Sequence, residues 1–126
     1  MIQHYDFNIY VGVDDKKTIT FFDESGEEID LAGMLPLVEM RVSSHYRPDV
    51  VVDTLSTANG RIVLKGKGTI EVSFSSSETQ IYKNPKYPAE YFDYVIDVTV
   101  TTASGQDTDR YLWGHIYPMR GVPDNE

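Results

Sequence analysis

Three histidines, His4, His45 and His115, and an acidic run, Asp23, Glu24, Glu27, Glu28 and Asp30, are the residues of this sequence with the first claim on chemistry. Zinc sites usually draw two ligands from one short spacing such as H-E-x-x-H. The three histidines are scattered along the chain and predict no metal site. The acidic run has carboxylates but neither the alternating ligands nor the closing glutamate of a calcium loop, so it reads as a solvated turn. Gly66-Lys67-Gly68-Thr69 lacks the full spacing of a phosphate loop and is followed by a strand pattern where a helix is needed. There is no G-x-S-x-G elbow, and a sequence with 0 cysteines has no thiolate nucleophile, thiolate ligand or disulfide. These residue types predict no catalytic residue, no metal, no cofactor and no small-molecule substrate; they describe a chain that binds.

The aromatic residues are the better candidates. Along Arg110 to Pro118, Tyr111, Trp113, His115 and Tyr117 share one strand face, and Leu112, Gly114, Ile116 and Pro118 share the other. If Leu112 and Ile116 point inward, the aromatic face is exposed, and Trp and Tyr are the side chains most enriched in protein interfaces. In the opposite register the aromatics are core. A second cluster, Tyr82, Tyr87, Tyr91 and Phe92, surrounds the Asn84-Pro85-Lys86-Tyr87-Pro88 loop, which either meets a partner or seals one end of the fold. The candidate contact residues are therefore Tyr111, Trp113, Tyr117, Tyr87 and Tyr91.

Period-two alternation supplies the elements that must carry these groups. Tyr5 to Val11 and Thr18 to Phe22 look like a hairpin about an Asp14–Lys17 turn, and Asp23-Glu24-Ser25-Gly26 closes the second strand. Leu31 tucks inward from a short linker. Leu37 to Val42 and Val50 to Leu55 are further strands, with Pro48 breaking the chain between them and Ala58-Asn59-Gly60 forming a hairpin-type turn. Arg61 to Leu64 and Thr69 to Phe74 flank Gly66-Lys67-Gly68, and Ser75 to Glu78 is a capping box opening a helical turn or two that ends before Pro85. Tyr94 to Thr101 is the longest alternation, and it turns at Ser104-Gly105 into the last strand. The sum is an all-β chain, an antiparallel β-sandwich of about eight short strands with one short helical turn. Residues 1–118 form a single domain and 119–126 a short exit tail.

With 126 residues, 40% hydrophobic and 25% charged, the chain has enough apolar surface for a real core. A net charge of -9 removes the electrostatic footprint expected for nucleic acid or an anionic membrane. No apolar stretch approaches the roughly 20 residues of a membrane span, and Met1 to Asp6 lacks the pattern of a secretory signal, which implies a soluble protein made in the cytoplasm.

The order of these segments resembles that of small β-sandwich structural proteins of tailed bacteriophages, tail, baseplate and fibre-associated, similar to the N-terminal domain of the upper baseplate protein. Phe21-Phe22-Asp23-Glu24-Ser25-Gly26 through Ile29-Asp30-Leu31-Ala32-Gly33 resembles the family's strand, D-x-x-G turn and I-D-L-T-G linker. Met40-Arg41-Val42, Thr57-Ala58-Asn59-Gly60-Arg61-Ile62, Gly68 to Ser75, Tyr94 to Val98 and Arg110 to Gly114 resemble later segments in the same order. Tyr111 and Trp113 replace aliphatics, and the tyrosine-proline loop is longer than the pattern. The resemblance implies a non-enzymatic virion protein, present in several copies, that docks other virion proteins in the tail, baseplate or fibre-attachment region. It implies localisation in the virion after synthesis in the host bacterial cytoplasm. A capsid decoration or head-fibre protein and a carbohydrate-binding module are the alternatives.

Overall fold

The computed structural model describes residues 2–34, 36–83 and 91–120. Among them nine strands form two sheets packed face to face, an all-β sandwich. The larger sheet contains β1 (Gln3–His4), β2 (Phe7–Val11), β4 (Leu37–Ser44), β5 (Arg47–Ser56), β8 (Phe92–Thr102) and β9 (Gly105–Arg120). Its order is β1-β9-β8-β4-β5, with β2 continuing the β1 edge along β9. The smaller sheet is β3 (Asp15–Thr20), β7 (Thr69–Phe74) and β6 (Ile62–Leu64), in the order β3-β7-β6.

The alternation that predicted strands also predicted their faces. Val38, Met40, Val42, Tyr94, Ile96 and Val98 of the larger sheet meet Ile19, Ile70, Val72 and Phe74 of the smaller in one continuous core. The Phe7 and Phe74 rings meet across the sheets with centroids 6.3 Å apart. Full burial of each such side chain contributes roughly 1.5–3 kcal/mol. Phe21 and Leu31, from the segment joining β3 to β4, are fully buried between the layers. Gly26 takes a φ of 89°, and Asp23 Oδ1 accepts from the Ser25 and Glu27 amides and the Ser25 hydroxyl, so the start of the acidic run is a self-bonded turn, whereas Glu28 accepts from the Gly68 amide and the Thr69 hydroxyl. The Ser25 hydroxyl, followed by the Glu27 amide, holds the Asp23 carboxyl below its usual range.

The capping box is present with both arms. The Glu78 amide donates to Ser75 Oγ and the Ser75 amide to Glu78 Oε1, opening a 3₁₀ helix over Glu78–Lys83. A charged network joins the two sheets beside it. Arg61 donates from Nη1 and Nη2 to the two carboxylate oxygens of Asp53 at 2.7 and 3.0 Å, its Nε lies 3.2 Å from Glu78, and the buried Tyr82 hydroxyl donates to Asp53.

Five local readings are corrected. The first two long strands are not a hairpin: β2 pairs in parallel with β9, and β3 pairs antiparallel with β7 in the other sheet. Asp15, Lys16 and Lys17 belong to β3, because their backbones pair with Phe74, Ser73 and Val72. Pro48 sits inside β5, where the edge position leaves its missing donor facing outward. Asn59-Gly60 carries the chain from one sheet to the other, with Asn59 Oδ1 accepting from the Ser56 and Arg61 amides. The sandwich is antiparallel except along β1 and β2. Met119 and Arg120, expected in the exit tail, end β9 opposite Tyr10 and Val11; 121–126 lie outside the described residues.

Candidate functional site

The outer face of the larger sheet gathers the chain's unusual side chains. On β9, Leu112 and Ile116 point into the core, which turns Trp113 and Tyr117 outward with relative exposures of 42% and 36%. Tyr10 on β2 and Met119 on β9, register partners, extend this apolar stripe. Tyr111 does not belong to it. The β8–β9 register passes from Ile96↔Leu112 to Asp97↔Arg110, so Tyr111 is the extra residue of a β-bulge and leaves the alternation. Its ring packs edge-on against Phe21 at 5.6 Å, part of the core wall.

The three histidines, far apart in sequence, line up on this face. His4 pairs in register with Trp113, and its ring stacks on the indole with centroids 4.1 Å apart and 16° between planes. His4 Nε2 is 2.7 Å from Asp6 Oδ1, which also accepts the His115 amide at 2.8 Å. His115 Nδ1 lies 2.8 Å from Asp93 Oδ1, and His45 Nδ1 is 3.3 Å from Asp93 Oδ2. The Tyr91 hydroxyl pairs with His45 Nε2 at 2.8 Å, and its ring stands 4.7 Å from His115 and 5.6 Å from Tyr117. One ligand atom from each of His4, Asp6 and His115 falls within 4.8 Å of the others.

A break in the edge strand makes this arrangement possible. Between β1 and β2 the Tyr5 amide still donates to the Trp113 carbonyl, and the ladder breaks just beyond it, where the Tyr5 carbonyl turns inward to accept the hydroxyl of buried Tyr94. Burial, then the neighbouring Tyr5 and Asp6, pushes the Tyr94 phenol far above its usual range and keeps it a donor. Gly114 lies beneath this carbonyl: a Cβ there would overlap the Tyr5 oxygen outright and stand 2.7 Å from its carbon. The Asp6 side chain takes the ladder's place by accepting the His115 amide.

Of the candidate contact residues, Trp113, Tyr117 and Tyr91 come together on this face, Tyr111 is turned to the core wall, and Tyr87 lies outside the described residues, as does the 84–90 loop. Sequence reasoning named His4 and His45 but set them aside as scattered, and it missed Asp6 and Asp93. The H-x-D spacing of His4 and Asp6, which places both on one strand face, was a local signal; their meeting with residue 115 had none. Beside Asp93 a shallow depression is lined by Arg41, Ser43, Pro48, Val51 and Val95. No family model matches the chain, and no curated protein or solved structure matches it either.

Proposed function

We propose that this chain is a non-enzymatic docking domain, an adaptor of a tailed-phage particle, and that it grips its protein partner with the outer face of β9. The observation that carries the reading is the exposure of Trp113 and Tyr117 on a sheet whose inner face is already filled. A rigid sheet presents both rings without loss of backbone freedom, and large aromatics are the usual anchors of protein interfaces. Asp6 and Asp93 between the rings and a net charge of -9 favour a partner carrying basic groups around an apolar centre. The phage setting is supported by the order of the resembling segments.

Two measurements test it separately. The chain should be found at fixed stoichiometry in purified particles; its absence from them would refute the virion setting. Trp113→Ala and Tyr117→Ala should abolish its incorporation while leaving its fold intact, and incorporation unchanged in both would refute the β9 face. The carbohydrate-binding alternative would appear as a Trp113 fluorescence change with oligosaccharides, for which His4 leaves only one ring face open.

A further inference from the structure

We infer that His4, Asp6 and His115 form a binding site for a first-row divalent transition ion of the zinc class. The inference is independent of the docking reading. Two imidazoles and one carboxylate form an N/O donor set of borderline softness, suited to Zn²⁺ and its neighbours rather than to Ca²⁺ or Mg²⁺. Three atoms no more than 4.8 Å apart lie at most about 2.8 Å from a common centre, against bonds of roughly 2.0–2.2 Å. The donors need to shift by about 0.8 Å or less, with His4 Nε2 and Asp6 Oδ1 spreading from their present 2.7 Å, within reach of side chains that are 46%, 33% and 25% exposed for His4, Asp6 and His115.

The donors are held in place before any ion arrives. His115 is oriented by Asp93 at Nδ1, the carboxylate–histidine arrangement that fixes a metal-binding imidazole and leaves Nε2 as its lone pair. His4 is fixed by its stack on Trp113, and Asp6 by the His115 amide. The ion replaces the hydrogen bond between His4 Nε2 and Asp6 Oδ1, sitting beside that line rather than on it, with neutral His4 in the tautomer that keeps its one proton on Nδ1. Three protein ligands leave at least one coordination position for water or a group of the partner. The ion would bridge β1, the β1–β2 break and β9, riveting the edge where the backbone ladder is interrupted.

Titration of the full chain with Zn²⁺ alone, followed by calorimetry and by NMR of the histidine rings, tests this. One equivalent should bind saturably, and the His4 and His115 ring signals should shift while His45 stays put. His45→Ala, which removes a bond to Asp93 but no ligand, should keep saturable one-to-one binding, and Asp93→Asn should weaken binding by about 10–100-fold, the usual effect of losing an outer partner. The double variant His4→Ala/His115→Ala should not bind. Absence of saturable one-to-one binding by the wild type, retained affinity in the double variant, or an equal loss in His45→Ala would overturn the assignment. The wild-type titration decides the matter even if a variant fails to fold.

Discussion

Replacing Gly114 with alanine tests the argument for the broken edge strand more sharply than any other single change. The added methyl overlaps the Tyr5 carbonyl and approaches Tyr94 Cε2 to 3.0 Å, so the peptide at Tyr5 must move. Moving it breaks the bond from the Tyr94 hydroxyl, and an unsatisfied buried hydroxyl costs about 1–3 kcal/mol. Overpacking adds about 1–3 kcal/mol. The Tyr5 amide bond to the Trp113 carbonyl is also at risk. The expected loss is about 2–6 kcal/mol, a large part of a typical domain's 5–15 kcal/mol. By contrast, Gly60, at a φ of 81° with no atom near its Cβ position, should lose only the backbone cost of about 1–2 kcal/mol on the same change. Urea unfolding followed by Trp113 fluorescence measures both, and Trp113 also reports the His4 stack directly. Combined with Tyr94→Phe, Gly114→Ala should lose less than the sum of the two, because both remove one hydrogen bond. A Gly114→Ala protein within 0.5 kcal/mol of wild type, or strict additivity with Tyr94→Phe, would refute the close approach as the reason for glycine.

Three other predictions concern the scaffold. Asp53→Ala should cost about 3–5 kcal/mol in urea unfolding, since it leaves the guanidinium of Arg61, only 15% exposed, without its bidentate partner. Asp97 gives a pH test: burial opposes its ionisation, but Arg110 and then Arg41 donate to it and lower its pKa overall. Its contribution is therefore full above the unfolded value near 3.9 and disappears as pH falls through the depressed folded value. Asp97→Asn should flatten the stability curve below about pH 4 and leave its shape near neutrality unchanged. Ser75→Ala should cost about 1 kcal/mol by removing the cap that the Glu78 amide uses, measured as a lower urea midpoint.

What was legible in the sequence follows from the range of the physics involved. Alternation is a local property, so Val38 to Val42, Ile70 to Phe74 and Tyr94 to Val98 announced their strands and inward faces. The reciprocal cap of Ser75 and Glu78 spans three residues and was equally readable. Strand pairing is non-local: nothing near Phe7 states that its partner is Ile116, and the hairpin expectation failed there for that reason. Tyr111 was assigned to the exposed face because alternation was carried through a bulge that only the pairing with β8 reveals. The histidines looked scattered because their distances were counted along the chain, whereas the β1–β9 pairing brings residues 4 and 115 onto one face.

The parallel seam of β1 and β2 along β9 has a consequence for how the molecule is made. Asp6 and the amide it holds at His115 are 109 residues apart, among the most non-local contacts in the fold. On a ribosome adding about 5–20 residues per second, the N-terminal segment waits roughly 5–20 s for its template. Throughout that wait Phe7, Ile9 and Val11 lack the strand they will lie against. A segment that docks last, through an interrupted ladder, is the piece of the fold most readily lent to a second copy, and refolding at high concentration should yield dimers exchanged at this seam.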